Sequence, residues 1–267
     1  MNPVSVNELT ESVNSNLPRD VKSHIAKNIL TKEKDSETAK NIFAELINDL
    51  SLKTQKEVIN ATGTLLHTNL GRSPNKISYP GTYTNIEYDL TTLSRGKRNE
   101  YLSVLMNNLI GSEDIIFVNN NASSLFVSLK AISKLHNIES VIISRGEIIE
   151  IGGSYRLPEI INETGLSLVE IGTTNKTRLS DYKKALEKYP NSLILKVHRS
   201  NFSISGFTED VSISELAELK NKYDVFLLHD LGSGLVIDKK FLEINNVNIF
   251  RDEPFVQDSL SDGSDLV

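Results

Sequence analysis

Several short polar stretches, each following an apolar run, hold the residue types that could do chemistry in this chain. The run at 224–228 (DVFLL) ends in His229-Asp230-Leu231-Gly232-Ser233-Gly234. A carboxylate at the mouth of an apolar strand is costly to desolvate unless a cation or donors meet it. Asp230 could cap a following helix, or pair with a protonated ring nitrogen and hold that ring cationic, which makes it an electron sink. The run at 114–118 (DIIFV) ends in Asn119-Asn120-Asn121-Ala122-Ser123-Ser124, a small polar turn entering a helical pattern. Such a turn presents backbone N–H groups and hydroxyls at the positive end of a helix dipole and suits a phosphate monoester. It would equally serve as a plain N-cap, and it lacks the glycine spacing of the nucleotide-binding loops.

Other stretches add polar groups of the same kind. His198-Arg199-Ser200-Asn201 follows the run at 192–197, and Gly172-Thr173-Thr174-Asn175 follows the run at 166–171. After the run at 140–144 come Arg145-Gly146-Glu147 and then Gly152-Gly153-Ser154-Tyr155-Arg156, where paired glycines suggest a close backbone approach. Upstream, residues 60–74 (NATGTLLHTNLGRSP) have too little period for a helix and too many small residues for an ordinary strand. Ser94-Arg95-Gly96-Lys97-Arg98 is a compact cationic cluster, either a solvated face or a clamp for an anion.

The elements that must position these residues read as alternating strand and helix. Apolar, β-branched runs at 114–118, 140–144, 166–171, 192–197 and 224–228 alternate with amphipathic stretches at 123–135, 179–188 and 213–222. That pattern predicts an α/β fold with a mostly parallel sheet covered by helices on both faces, whose ligands gather at the carboxyl ends of the strands. The first 50 or so residues read differently. Weak helical patterns at 4–16 and 19–31 flank Leu17-Pro18, and Ile42, Phe43, Leu46, Ile47 and Leu50 form one apolar stripe with Asp35 and Ser36 available as caps. We expect a small helical N-terminal domain over residues 1–56 and a larger domain over 57–267.

Composition narrows the function classes. Of 267 residues, 39% are hydrophobic and 24% charged, and there is no cysteine, which excludes disulfides, thiolate metal sites and cysteine nucleophiles. No metal-ligand pattern stands out. No apolar run approaches the roughly 18 residues of a membrane span, and the N-terminus lacks a basic start with an apolar stretch, so the expectation is a cytoplasmic protein with no membrane partner. With 29 basic and 35 acidic residues the net charge is −6, which gives no bulk basic footprint for nucleic acid. Recognition of an RNA by a local patch stays compatible with that balance.

A phosphate cradle at one strand end and a ring-nitrogen carboxylate at another are what a pyridoxal 5′-phosphate site requires. In this order, NATGTLLHTNLGRSP, EYDL, SRGKR, VNNNASS, SRGEIIEIGGSYRLPEI, VEIGTTNKTRLSDY, LKVHRSNFSISGFTEDV and HDLGSG resemble the bacterial selenocysteine synthases, the L-seryl-tRNA(Sec) selenium transferases. The resemblance covers nearly the whole chain and is weakest over the first 50 or so residues. It implies a large domain of the aspartate-aminotransferase type that binds pyridoxal phosphate. It also implies a small N-terminal domain that engages tRNA, and assembly into a homodecamer.

The implied reaction converts the seryl form of the selenocysteine tRNA to its selenocysteinyl form with selenophosphate as donor. It passes through an aldimine of the seryl amine and a dehydroalanyl intermediate. By the same resemblance Asp230 pairs with the pyridine nitrogen, and Asn121, Ala122 and Ser123 form the phosphate turn. Arg72 holds the anionic selenium donor, and His198 and Asn201 contact the ring or its oxygen. Arg95 and Arg98 are candidates for donor or tRNA phosphates.

In the family a Ser-Gly-Asp-Lys turn carrying the Schiff-base lysine follows shortly beyond the position of Val267, so we expect that lysine to be absent from this chain. Lys196 lies inside an apolar strand and Lys239-Lys240 reads as a solvated pair, so neither is expected to replace it. Two alternatives stay open. One is an inactive, truncated form of the enzyme that retains only RNA or subunit binding. The other is a related pyridoxal-phosphate lyase acting on a small amino-sugar acid.

Overall fold

The structure is a computed structural model that describes residues 3–74, 81–151, 155–237, 239–244 and 253–267. The chain divides into two compact units, Met1–Gly81 and Thr82–Val267. Among the described residues no helix is long and apolar enough to cross a membrane.

The first unit is built on three helices, α1 (Val6–Ser12), α2 (Arg19–Lys32) and α3 (Ser36–Lys53). Each start has a local cause. Ser5 and Glu8 form a reciprocal capping box on α1, Pro18 precedes α2, and the Asp35 carboxylate accepts the Thr38 N–H at the head of α3. Leu9, Ala26, Ile29, Ala39, Phe43 and Ile47 make the core of the bundle. The buried stripe of α3 is narrower than the sequence pattern suggests. Ala39, Phe43 and Ile47 point inward at four-residue steps, whereas Ile42 and Leu46 line an open apolar groove with Ile25 and Ile29. Residues 60–74 follow as irregular backbone with one 3₁₀ turn at Thr68–Leu70.

The second unit is α/β. Its sheet has the order β6-β3-β7-β8, formed by β3 (Ser140–Ser144), β6 (Ser167–Ile171), β7 (Ser192–Val197) and β8 (Leu227–Asp230), and every pairing is parallel. Ahead of it lie a two-residue ladder, β1 (Tyr88–Asp89) with β2 (Ser94–Arg95), and helices α4 (Glu100–Ile110) and α5 (Asn121–His136). A second ladder, β4 (Glu150–Ile151) with β5 (Tyr155–Arg156), leads to α6 (Leu157–Glu163). Then come α7 (Leu179–Lys188), α8 (Ile213–Tyr223), α9 (Lys239–Ile244) and α10 (Val256–Ser261).

Strand alternation sorts the apolar side chains onto two faces. Val141, Ile143, Leu193, Leu195, Val197 and Leu228 pack with Leu125 and Leu129 of α5 and Leu157 and Ile161 of α6. Ile142, Ile194 and Leu227 pack with Tyr182 and Leu186 of α7 and Leu216 and Leu219 of α8. Helices therefore cover both faces, as the near-continuous apolar runs predict.

Two strand expectations need correction. The run at 114–118 is not a strand: it is irregular backbone without a ladder, and Ile116 and Phe117 are 75% and 55% exposed. Its residues have strand propensity, but among the described residues no neighbour supplies the hydrogen bonds that a strand requires. The last strand is also displaced. Asp224 closes α8 in the left-handed conformation, so β8 begins at Leu227 and carries His229 and Asp230 within it.

The segment 259–266 is fastened back onto this sheet. Asp265 accepts the Leu227 N–H at 2.8 Å and the Lys220 ammonium at 2.6 Å, and Leu266 bridges Leu228. Gly263 makes the fit possible: its φ is +107°, and a Cβ there would lie 2.6 Å from Cβ of Ala217 on α8. We predict that Gly263→Ala lowers unfolding free energy by about 2 kcal/mol. Ala217→Gly in that background should recover only the steric share, leaving the dihedral cost; urea denaturation of the three proteins checks both statements.

Candidate functional site

The carboxyl ends of β7 and β8 and the first turn of α5 meet at one place. Asp230, the last residue of β8, is 7% exposed and lies on the α5 face of the sheet. Its Oδ1 accepts the Asn121 side-chain amide at 2.8 Å and the Gly232 N–H at 2.9 Å. Among the described residues Oδ2 has no such partner. Gly232 turns the chain sharply after the strand, with φ +70°, and a Cβ there would lie 2.7 Å from the Ser200 hydroxyl.

The first turn of α5 is organised by Asn120, whose side chain accepts the Ser123 N–H at 2.9 Å while its carbonyl accepts the Ser124 N–H. The N–H groups of Asn121 and Ala122 have no acceptor among the described residues. A 16-residue helix thus offers two backbone donors and its positive end beside a buried carboxylate. His198 follows β7. Its N–H donates to the Asp230 carbonyl at 2.8 Å, and its Nε2 stands 3.9 Å from Glu253. Asn201 lies on the exposed loop beyond it.

Asn121, Ala122, Ser123, Asp230 and His198 are therefore brought to one end of the sheet. Arg72 belongs to the first unit, where it is exposed in the left-handed conformation with its N–H on the His67 carbonyl. Arg95 and Arg98 are both ion-paired with Glu87 next to the β1–β2 ladder. Gly152-Gly153-Ser154 and the Lys239 side chain lie outside the described residues. Among the described residues no group of histidine and acidic side chains is arranged to hold a metal ion.

The L-seryl-tRNA selenium transferase family model (SelA) matches residues 58–267. The L-seryl-tRNA(Sec) selenium transferase of Campylobacter fetus subsp. fetus is 38% identical over 259 residues, which covers 93% of this chain and 56% of that protein. That of Aliarcobacter butzleri is 42% identical over 232 residues, covering 84% and 49% respectively. The chain belongs to this family. It spans about half the length of the curated relatives it matches. Among solved structures, a D-glucosaminate-6-phosphate ammonia-lyase aligns at 14% identity with a TM-score of 0.47, over 62% of this chain and 42% of that one. That likeness is too loose to bear on function.

Behind the family motifs lies a charge network that the sequence reading did not assemble. Lys196, in the otherwise apolar strand β7, places its ammonium 2.5 Å from Glu147 and 2.5 Å from Asp210. Its amine is thus held in two ion pairs. Glu147 is fully buried, and its second oxygen accepts the Val197 N–H at 3.0 Å. Burial pushes the Glu147 carboxyl above its ordinary value, against the pull of Lys196 and that N–H. Burial acts the same way on Asp210, but there Lys196, the Val211 N–H and Arg199 win and hold it below its ordinary value. The available signal was an isolated lysine in an apolar strand, which requires a buried partner.

Lys196→Met leaves Glu147 buried without its cation, and we predict a loss of about 3–5 kcal/mol. Lys196→Met with Glu147→Leu should recover only part of that, because the charges leave together but the buried Val197 N–H loses its acceptor; denaturant unfolding of the single and double variants decides it.

His229 points to the opposite face from Asp230. Its Nδ1 lies 2.7 Å from the Ser259 hydroxyl, which lies 3.1 Å from that of Ser264. Burial, then the charges of Lys196 and His198, push its pKa down to about 4. The unfolded imidazole takes its proton near pH 6.5. The folded imidazole stays neutral down to about pH 4, so stability present above pH 6.5 drains away as pH falls through that window. The expected loss is about 3 kcal/mol between those limits. His229→Asn should flatten that part of the stability–pH curve; a curve that keeps its full slope would place the titration elsewhere.

Proposed function

We propose that this chain contributes the cofactor half of an enzyme that converts the seryl form of the selenocysteine tRNA to the selenocysteinyl form, with selenophosphate as selenium donor. The carrying observation is the buried Asp230 carboxylate, with one oxygen held by two donors, beside the unpaired amides at the head of α5. These residues fit pyridoxal 5′-phosphate. The N–H groups of Asn121 and Ala122, with Ser123 alongside, would hold the phosphate, and Asp230 Oδ2 would meet the pyridine nitrogen. When bound, the cofactor supplies an electron sink for loss of the seryl α-proton and of the β-hydroxyl.

The chain's own residues bind and orient. Asp230 keeps the proton on the ring nitrogen, because a carboxylate in a buried site favours a facing cation. The His198 N–H holds the β7 loop to β8, and the imidazole and Asn201 are assigned to the ring and its oxygen. Arg72 is assigned to the anionic selenium donor, since a guanidinium matches oxyanions in two parallel hydrogen bonds. Arg95 and Arg98, now paired with Glu87, are the candidates for a phosphate that displaces that carboxylate. Residues 1–56 are assigned to tRNA, and assembly into a homodecamer in the cytoplasm completes the family reading.

Two assays on the purified protein test this proposal. Filter retention of seryl-tRNA(Sec) is expected for the unmodified chain and for Asp230→Ala alike. In a full-length version that carries the Schiff-base lysine, transfer of labelled selenium from selenophosphate to seryl-tRNA(Sec) is expected to fall at least about a hundredfold in Asp230→Ala, the scale of losing a charge-stabilising contact made in the transition state. Retention with no transfer by the unsubstituted full-length version would reduce the function to RNA binding. Failure of retention would overturn the tRNA assignment.

A further inference from the structure

Asn121 faces two parts of the site at once. As the first residue of α5 it offers its backbone N–H toward the phosphate position, while its side chain crosses to Asp230, 109 residues later in the chain. The orientation of that amide is fixed by chemistry: an ionised carboxylate only accepts, so Nδ2 must face Asp230. The Gly232 N–H lands on the same oxygen, Oδ1. Two donors converging on one oxygen fix the rotation of the carboxylate about its Cβ–Cγ bond and leave Oδ2 as the open acceptor. Asp230 is buried, whereas Asn121 is exposed, so the amide contributes orientation rather than packing.

We infer that the Asn121 side chain is a positioning group for Asp230, aiming the carboxylate at the cofactor's ring nitrogen rather than serving the phosphate. The inference rests on the cofactor reading above, and it separates two roles that a phosphate-turn assignment merges. A side chain that serves the phosphate would act on every ligand carrying that phosphate. One that acts through Asp230 would act only on ligands carrying the ring nitrogen.

Pyridoxine 5′-phosphate is the suitable probe, because it has the ring nitrogen and the phosphate but no aldehyde for surface lysines to capture. Its carbocyclic analogue, with C–H in place of the ring nitrogen, is the control. Calorimetric titration of the whole chain is expected to show about a tenfold preference for the nitrogen-bearing ligand, the scale of one charge-assisted hydrogen bond. Asn121→Ala should remove most of that preference while leaving the carbocyclic analogue within about twofold. Asp230→Asn should do the same, and the double variant should be no worse than either single one. The absorbance of the bound probe gives an independent readout, since its pyridinium form should persist to higher pH in the unmodified chain than in Asn121→Ala. Equal weakening of both ligands by Asn121→Ala, or no change in either, would overturn the inference and leave the cofactor reading standing. An unmodified chain that binds neither ligand, or shows no preference, would instead remove the cofactor reading and the inference with it.

Discussion

The site end of the sheet depends on one ion pair. Every residue of β7 is buried, and Lys196 among them carries a charge that water does not reach freely. A lone buried ammonium would cost several kcal/mol, and its acceptance here requires a counter-charge equally removed from solvent. Glu147 supplies it from the turn after β3, and the same carboxylate takes the Val197 N–H. The pair therefore does more than neutralise. It fastens the ends of two neighbouring strands together at the level where the functional loops begin.

From that point the constraints run outward through single hydrogen bonds. Val197 is followed by His198, whose N–H donates to the Asp230 carbonyl, so the exit of β7 fixes the exit of β8. The Asp230 side chain then reaches the head of α5 through Asn121. Three elements distant in sequence are registered against one another by groups that are polar and paired. The fold supplies two apolar faces for stability, and the polar bonds at the strand ends decide where the donors and the carboxylate point. Packing alone would leave that direction free, because apolar contact is not directional.

Much of this was legible in the sequence, and the failures have definite causes. The runs at 140–144 and 192–197 form strands with those bounds, because each is mostly apolar and both of its faces meet a helix. The run at 114–118 has the same composition, yet a strand exists only with a hydrogen-bonded neighbour, and composition does not report the neighbour. In α3 the pattern marked Ile42 and Leu46 as core beside Phe43 and Ile47, but the other two helices cover only one narrow side of it. Asp230 stood out as a carboxylate at a strand mouth, and the donors of α5 stood out as a turn before a helix. Their connection did not, since Asn121 lies 109 residues from Asp230 and nothing local to either names the other. The partners of Lys196 were hidden for the same reason.

The displaced start of β8 shows how much hangs on register. The strand pairs His229 with Lys196 and Asp230 with Val197, so alternate residues face opposite ways. One face takes Asp230 to Asn121, and the other takes His229 to Ser259 beneath the turn that carries Gly263 and Ser264. A slip of one residue would exchange them. The imidazole would then stand where the carboxylate must meet α5, and the carboxylate would enter the face shared with Lys196 and Glu147. Both outcomes are penalised, the first by loss of the Asn121 and Gly232 bonds and the second by a further buried anion. The left-handed turn at Asp224 and the Asp265 clamp on the Leu227 N–H set the strand's starting point. The chemistry at the end of β8 is thus specified at its beginning, by residues that never approach the site.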